Sequence, residues 1–335
     1  MAKNILYGDI GGTKTLITLA SLEDGDCRIT AQQRFASDQF PSFDQLLHAF
    51  CHQTGIDSAI IDAACFGVAG PVVHSGDGDQ AKVTNLPWQL DSVRLEQCFD
   101  IEKIRIINDF EAVGYGIFTL GDNDVHTLQT GRAVAQANCL AIGAGTGLGV
   151  AIMVWCDGRY MVMPTEGGHV DFAPAGELQC ELYRFLAGEQ GRVSCEHVLS
   201  GPGLVNIYRF LHHYHRQDEA VLTALLAKED PGAAIALAAD GGDRLAGEAV
   251  TLLVDIYGAQ AGNYALAAMA RGGVYVAGGI APKLLARLET GRFLDRFNNK
   301  GKMAALMTDI PVKVVLDSNV GLYGARRVVC ELAAP

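Results

Sequence analysis

The chain carries one unusual signal twice: an apolar strand, a turn built of glycine, and a second apolar strand. The first runs Asn4-Ile5-Leu6-Tyr7-Gly8-Asp9-Ile10, then Gly11-Gly12, then Thr15-Leu16-Ile17-Thr18-Leu19-Ala20. The second runs Cys139-Leu140-Ala141-Ile142, then Gly143 to Gly149, then Val150-Ala151-Ile152-Met153-Val154. Strands joined by so short a turn pair as an antiparallel hairpin. One such hairpin in each half points to two related α/β halves facing a cleft. A turn without β-carbons also lets backbone N–H groups close on a phosphate. Most Gly-Gly turns are only turns, so the phosphate reading of Gly11, Gly12 and Thr13 stays open on these residues alone. Around Gly145, Thr146 and Gly147 no window satisfies G-x-G-x-x-G, and a strand follows where a dinucleotide fingerprint needs a helix. That excludes a Rossmann site and favours a second hairpin phosphate loop.

A length of 335 residues is long for one core and suggests two domains. Apolar residues make up 49% and charged ones 19%, so the chain can bury a large core and no segment reads as disordered. The net charge of -12, with no Lys/Arg cluster, argues against a nucleic-acid partner. Nine cysteines without C-x-x-C spacing fit buried thiols in a reducing compartment better than disulfides or a zinc site. The N-terminus runs directly into a strand and no apolar run reaches about 18 residues, so a soluble cytoplasmic protein without a membrane partner is expected.

The segment Ile104-Arg105-Ile106-Ile107-Asn108-Asp109-Phe110-Glu111-Ala112-Val113 changes character in its middle. β-Branched residues favour a strand, and Phe110, Ala112 and Val113 then begin a helical stripe. Asp109 therefore stands at the carboxyl end of a strand, where open α/β sheets place their ligand sites. It reads equally as a helix N-cap or as a catalytic base on rigid structure. Asp9 is out of place in a strand interior unless it has a task, such as orienting the water shell of magnesium. Glu166 and His169 flank two glycines, so their side chains can converge on a small polar ligand through a flexible turn. Gly278-Gly279 ends a third buried strand, where a flat group could lie on bare backbone.

Elsewhere, strands are expected at 28–35, 60–68, 159–163 and 311–316. Helices are expected at 42–52, 91–99, 177–186 and from Ser200-Gly201-Pro202-Gly203 to Leu211. Amphipathic helices should fill 218–270, and a last helix, 319–332, should pack back on the first half.

Taken in order, Gly8-Asp9-Ile10-Gly11-Gly12-Thr13, Ile107-Asn108-Asp109-Phe110, Gly143 to Gly149, Glu166-Gly167-Gly168-His169-Val170-Asp171-Phe172, Ser194 to Gly203 and Val276-Ala277-Gly278-Gly279 resemble the bacterial glucokinase family. This family belongs to the hexokinase and actin-like ATPase superfold. The resemblance implies a two-domain, ribonuclease H-like α/β fold with duplicated mixed sheets around a cleft. It assigns 1–118 plus 319–335 to a small domain and 119–318 to a large one. The implied reaction is ATP plus D-glucose to glucose 6-phosphate and ADP, with magnesium, in a homodimer whose domains close on the sugar. Asp109 matches the catalytic base. Asn108, Glu166, His169 and Glu196 match groups that bind the sugar hydroxyls, with Asn85 in Thr84-Asn85-Leu86-Pro87-Trp88 as a further candidate. The loops at Gly8 to Thr13, Asp9 and Ile10 included, and at Gly145 to Gly147 match the phosphate segments, and Gly278-Gly279 matches the adenosine segment.

Physical chemistry agrees. Carboxylates and an Asn satisfy sugar hydroxyls that both donate and accept, and an Asp of ordinary pKa, about 4, is ionised at neutral pH. Lys14 reads as an exposed lysine. The related ROK sugar kinases carry a C-x-C-G-x-x-G-C zinc motif that is missing here, so no structural zinc is expected. The same fold could phosphorylate another hexose, or bind sugar and nucleotide as a regulator without turnover. Glycine loops of this kind serve ATP, ADP and polyphosphate alike.

Overall fold

The computed structural model describes residues 2–217 and 219–334. The chain divides into two compact units, Met1–Gly121 with Asn319–Pro335, and Asp122–Ser318.

In the first unit, β1 (Lys3–Ile10), β2 (Lys14–Glu23) and β3 (Asp26–Ala36) form an antiparallel meander, so the first glycine turn does close a hairpin. Helix α1 (Phe43–Thr54) starts at Ser42, whose hydroxyl accepts from Gln45 N, and buries Phe43, Leu46, Leu47 and Phe50. Strand β4 (Ala63–Val68) follows. It is shorter than the expected 60–68, because Asp57 caps a 3-10 turn over Ser58–Ile60 that holds the chain out of the sheet. Next come β5 (Val72–Ser75), β6 (Gly78–Lys82) and β7 (Gln89–Asp91), a small antiparallel sheet that no sequence signal announced. Helix α2 (Ser92–Phe99), capped by Asp91, leads to β8 (Lys103–Asn108) and α3 (Asp109–Ile117). The main sheet has the order β3-β2-β1-β4-β8, with β1, β4 and β8 parallel.

The second unit repeats the plan. Strand β9 (Val125–Gln129) lies in the polar interval before Cys139, where no strand is expected from the sequence. Strands β10 (Cys139–Ala144), β11 (Leu148–Cys156) and β12 (Arg159–Thr165) make the second hairpin meander. Helices α4 (Glu177–Gln190), α5 (Gly201–Tyr214), α6 (Glu219–Leu226), α7 (Pro231–Asp240) and α8 (Arg244–Ala268) follow. Position 218, the first of the expected helical stretch, lies outside the described residues. The amphipathic expectation fails for α8, which is buried on almost every side because β10, β13, α5, α7 and α10 all pack on it. Then come β13 (Gly273–Ala277), α9 (Leu285–Leu288), α10 (Arg292–Asn298), α11 (Ala304–Asp309) and β14 (Val312–Val315). The sheet order is β12-β11-β10-β13-β14-β9, with β10, β13 and β14 parallel. On α8 the buried Asp255 holds α10 through Arg292, at 2.9 and 2.6 Å, and Arg296, at 3.1 Å.

The closing helix α12 (Val320–Ala333) belongs to the first unit and packs on α3, β1 and β4, as expected. Its crossing with α3 is a backbone contact. A β-carbon on Gly116 would lie 1.8 Å from the Val320 carbonyl oxygen, and one on Gly324 would lie 1.7 Å from that of Ala112. Only glycine fits at such a crossing, and the contact fixes the axis of the helix that carries Asp109.

Candidate active site

In the first unit, register places Ile10, Val68 and Asn108 side by side at the ends of three parallel strands. Everything the chain does next in this unit starts from that row. Gly11 to Thr13 turn back into β2, with Gly11 N–H closed on the Lys14 carbonyl at 3.0 Å and Ser37 Oγ donating to the Gly11 carbonyl at 2.8 Å. The 84–85 segment lies against this turn, since a β-carbon on Gly12 would sit 3.0 Å from Thr84 O and 3.7 Å from Asn85 Cβ. Asn85 adopts φ 64°, a left-handed conformation that Asn tolerates better than most residues. The structure thus brings Asn85 beside the first glycine turn.

Asp9 lies one residue inside the row. Its side chain meets solvent on one side and is crowded by protein on the others. This loss of solvation pushes its carboxyl above the usual carboxylate range, with Arg34 pulling the other way.

Asn108 and Asp109 divide roles differently from the capping expectation. Asn108 is the N-cap of α3: its Oδ1 accepts from Phe110 N at 2.8 Å and from Glu111 N at 3.3 Å, and its Nδ2 donates to the Gly70 carbonyl at 3.0 Å. Asp109 is the first helical residue, with Oδ1 2.8 Å from Phe110 N, a donor it shares with Asn108. The Asn108 backbone acts on the Glu111 carboxyl from close by and pulls it downward against the effect of burial. Asn108 and Glu111 stand at the spacing of a capping box, with the Glu111 N–H held by the Asn108 side chain. The N-x-x-E spacing that favours such a box is visible in the sequence.

Behind the box lies a second polar group. Asp79 accepts from Arg105 Nε at 2.8 Å and Ile106 N at 3.0 Å, and His74 Nδ1 stands 2.7 Å from Asp79 Oδ1. His74 Nε2 is 3.8 Å from Glu111 Oε2, a buried oxygen without a hydrogen-bond partner. Burial raises the Glu111 carboxyl, opposed by His74, the Asn108 N–H and Arg105. His74 and Asp79 carry no local signal because they meet only as opposed residues across the β5–β6 pairing.

In the second unit, backbone pairing gathers the expected sugar ligands. Glu196 N–H donates to the Gly168 carbonyl and Cys195 N–H to that of Val170, both at 2.9 Å, and Asp171 bridges Ser194. Glu166 and His169 are exposed, with Oε2 and Nε2 3.8 Å apart. Their turn is not a flexible one. A β-carbon on Gly168 would lie 2.1 Å from Leu148 O, and Tyr264 Oη donates to the Gly167 carbonyl at 2.7 Å. The glycines let a 3-10 turn, Gly167–His169, seat directly on β11.

Glu196 Oε2 also accepts from Leu148 N at 2.9 Å, tying it to the second glycine loop. In that loop Gly145 N–H closes on Gly147 O, and the first N–H of α5, from Gly201, donates to Gly145 O, both at 2.8 Å. Gly278, φ 80°, packs on Ala144, where a β-carbon would come within 2.6 Å of the carbonyl oxygen. Gly145 and Gly279 differ: a β-carbon at either would meet no protein atom within 4 Å. The packing therefore requires glycine at 168 and 278 and leaves open space at 145 and 279.

The Glucokinase family model matches residues 6–331. A glucokinase of Nostoc sp. is 43% identical over 96% of this chain and 97% of its own, and one of Synechocystis sp. is 39% identical over 97% of each. The chain belongs to the glucokinase family. Among solved structures, the glucokinase of an Antarctic psychrotroph superposes with a TM-score of 0.82 at 30% identity, covering 98% of this chain and 99% of that one. A Balamuthia mandrillaris glucokinase in complex with glucose gives 0.80 at 25% identity, covering 98% and 94%. A ROK family glucokinase from Streptomyces griseus, 23% identical with a TM-score of 0.62, shares the fold. The glucokinase-family fold is that of the actin and hexokinase ATPases, and the chain is an enzyme of that family. Among the described residues, no group of three or more His, Cys, Asp or Glu could hold a metal, and no helix is long and apolar enough to cross a membrane.

Proposed function

We propose that this chain transfers the γ-phosphoryl group of ATP to the 6-hydroxyl of D-glucose, giving glucose 6-phosphate and ADP, with Asp109 as general base. The observation that carries the role of Asp109 is the division of labour at the start of α3. Asn108 caps the helix, so a carboxylate at 109 is not needed there as the cap. Standing at the end of a parallel strand, on a helix locked by a backbone crossing, it can take the hydroxyl proton as O6 attacks phosphorus.

Glu166, His169 and Glu196 bind the sugar hydroxyls, Glu196 through the carboxylate oxygen that does not hold Leu148. Asn108 contributes the second hydrogen of its amide, and Asn85 a further contact. The glycine loops receive the phosphates. With the N–H groups of Gly11 and Gly145 closed inside their turns, the donors are those of Gly12, Thr13, Thr146 and Gly147. The adenosine lies along Gly278 and Gly279, where open space at 279 supports the assignment.

A magnesium ion held by the nucleotide's own phosphates suits this donor set better than a protein cage, and Asp9 would orient its water shell. A cation nearby would offset the desolvation of that carboxylate. The ion supplies neutralisation of charge on the transferring oxygens. A homodimer in the cytoplasm completes the reading, as in the family it resembles.

The test is coupled ADP release over a panel of hexoses with ATP, ADP and polyphosphate as donors. Glucose with ATP should give the highest kcat/KM. A higher value for another hexose, or no sugar-dependent ADP release, would refute the assignment.

A further inference from the structure

The second glycine loop is held from outside at three backbone groups, each by a different part of the second unit. Ile280 N–H, one residue past Gly279, donates to the Ala144 carbonyl at 3.2 Å, and Gly201 N–H donates to the Gly145 carbonyl at 2.8 Å. The third holder is a side chain: Glu196 Oε2 accepts from Leu148 N–H at 2.9 Å. Beyond its chain neighbours, the described atoms that a β-carbon on Gly147 would meet within 4 Å are those of this carboxylate, Oε2 at 2.6 Å and Cδ at 3.4 Å. A charged group assigned to the sugar therefore lies against the loop assigned to phosphate.

The backbone on either side of that carboxylate is fixed. Glu196 N–H donates at 2.9 Å to the Gly168 carbonyl, in the turn that carries Glu166 and His169. Its own carbonyl accepts from Ser200 Oγ at 2.8 Å, and the same hydroxyl oxygen caps α5 by accepting from Gly203 N–H at 2.9 Å. His197, the next residue, takes the Ser194 N–H on Nδ1 at 3.2 Å. What a ligand can change here is the state of the half-buried carboxylate itself. With no sugar on it, its negative charge beside Gly147 opposes an anion in the loop. A hydroxyl donating to Oε1 makes a charge-assisted hydrogen bond, which draws on that charge and pins the side chain.

We propose that Glu196 couples the two substrates: one carboxylate oxygen takes a sugar hydroxyl, the other holds the Leu148 N–H, and the occupied sugar site thereby raises the affinity of the loop for nucleotide. The proposal rests on Glu196 binding the sugar. No bond is made or broken in this step. Its consequence is an order of preference, in which the nucleotide is held best when a hexose acceptor is already in place.

Calorimetry tests it through the Kd of magnesium β,γ-imido-ATP, with and without saturating glucose, and the Kd of glucose alone. The proteins are wild type, Glu196→Gln, Glu196→Ala, Gly147→Ala and Gly145→Ala, with Tm recorded for each. In the wild type, glucose should tighten the analogue about tenfold, inside the range of about 5- to 150-fold usual for coupled sites. Glu196→Gln keeps an oxygen for Leu148 N–H but loses the charge. It should bind the analogue more tightly than the wild type does without sugar, and the effect of glucose should fall to about twofold or less. Gly147→Ala should weaken glucose binding with no nucleotide present by about tenfold, roughly one hydrogen bond to a charged group, because its β-carbon displaces the end of a flexible side chain and no backbone. Gly145→Ala, whose β-carbon meets no protein atom within 4 Å, should leave the glucose Kd in place. A merely structural Glu196 would lower Tm in its variants and keep the effect of glucose on the analogue. The proposal is overturned if glucose leaves the wild-type analogue Kd unmoved, if its effect persists in Glu196→Gln, or if Gly147→Ala binds glucose as the wild type does. Where Glu196→Ala has lost glucose affinity, such results refute the coupling alone. A wild-type glucose Kd in Glu196→Ala removes the sugar assignment of Glu196 and this inference with it.

Discussion

The sheets β3-β2-β1-β4-β8 and β12-β11-β10-β13-β14 have the same order and the same directions, yet they present functional groups in different ways. In the first unit the chain steps from β8 straight into α3, so Asp109 leaves the sheet with its neighbours fixed by the Asn108 cap and a helix crossing. In the second unit the matching strand, β14, is followed not by a helix of its own unit but by α12, which belongs to the first. The acids of the second unit come from loops beside the hairpin, Glu166 and Glu196, held by backbone pairing and by glycines seated on β11. A strand end delivers one group with high precision, which suits chemistry. A pair of zipped loops delivers several groups at once, which suits recognition of a many-hydroxyl ligand.

Substitutions that separate rate from binding are the sharpest way to break this contrast. Asp109→Ala should lower kcat by about 10² to 10⁴-fold, the range for losing a general base, in steady-state assays at saturating glucose. Gly168→Ala should lower stability by roughly 1 to 3 kcal/mol in denaturant unfolding, since its β-carbon would press on the Leu148 carbonyl. Gly279→Ala, with open space around it, should leave the unfolding midpoint in place and raise KM for ATP. Equal effects from the two would erase the distinction between packing glycines and ligand glycines. Glu166→Gln and His169→Ala should each raise glucose KM by about tenfold, the worth of roughly one hydrogen bond to a charged or polar partner, with kcat nearly kept.

The smallest effect concerns Asp9. Its folded carboxyl lies above the unfolded value, so the folded state holds the proton more tightly. Stability then falls as pH rises from the unfolded value, near 4, through the folded one. Asp9→Asn removes that penalty and should raise Tm slightly at pH 7, while weakening magnesium-ATP binding. A lower Tm would mean that the ionised group is stabilised by contacts that outweigh its desolvation.

The sequence made the plan legible wherever the signal was local. Both glycine hairpins and the β8–α3 junction follow from periodicity and turn chemistry within a few residues, whereas the return of α12 to the first unit is a long-range contact that no local signal carries. The β5–β7 sheet was missed because its strands are short and polar, and His74 and Asp79 meet only through their pairing. Strand β9 was hidden in a polar interval for the same reason. Two glycines at 167 and 168 point to a flexible turn, whereas the seated one arises from a close approach to Leu148 that only the folded chain shows. Asn108, not Asp109, caps α3, because its side chain reaches both Phe110 N and Glu111 N from the last strand position.

The central claim is that Asp109 supplies chemistry, while Glu166, His169 and Glu196, with Asn108 and Asn85, supply recognition. Calorimetric titration of Asp109→Ala with glucose, beside its kcat, tests it most directly. The account predicts wild-type glucose affinity with turnover nearly abolished; wild-type turnover, or glucose affinity lost in step with turnover, would contradict it.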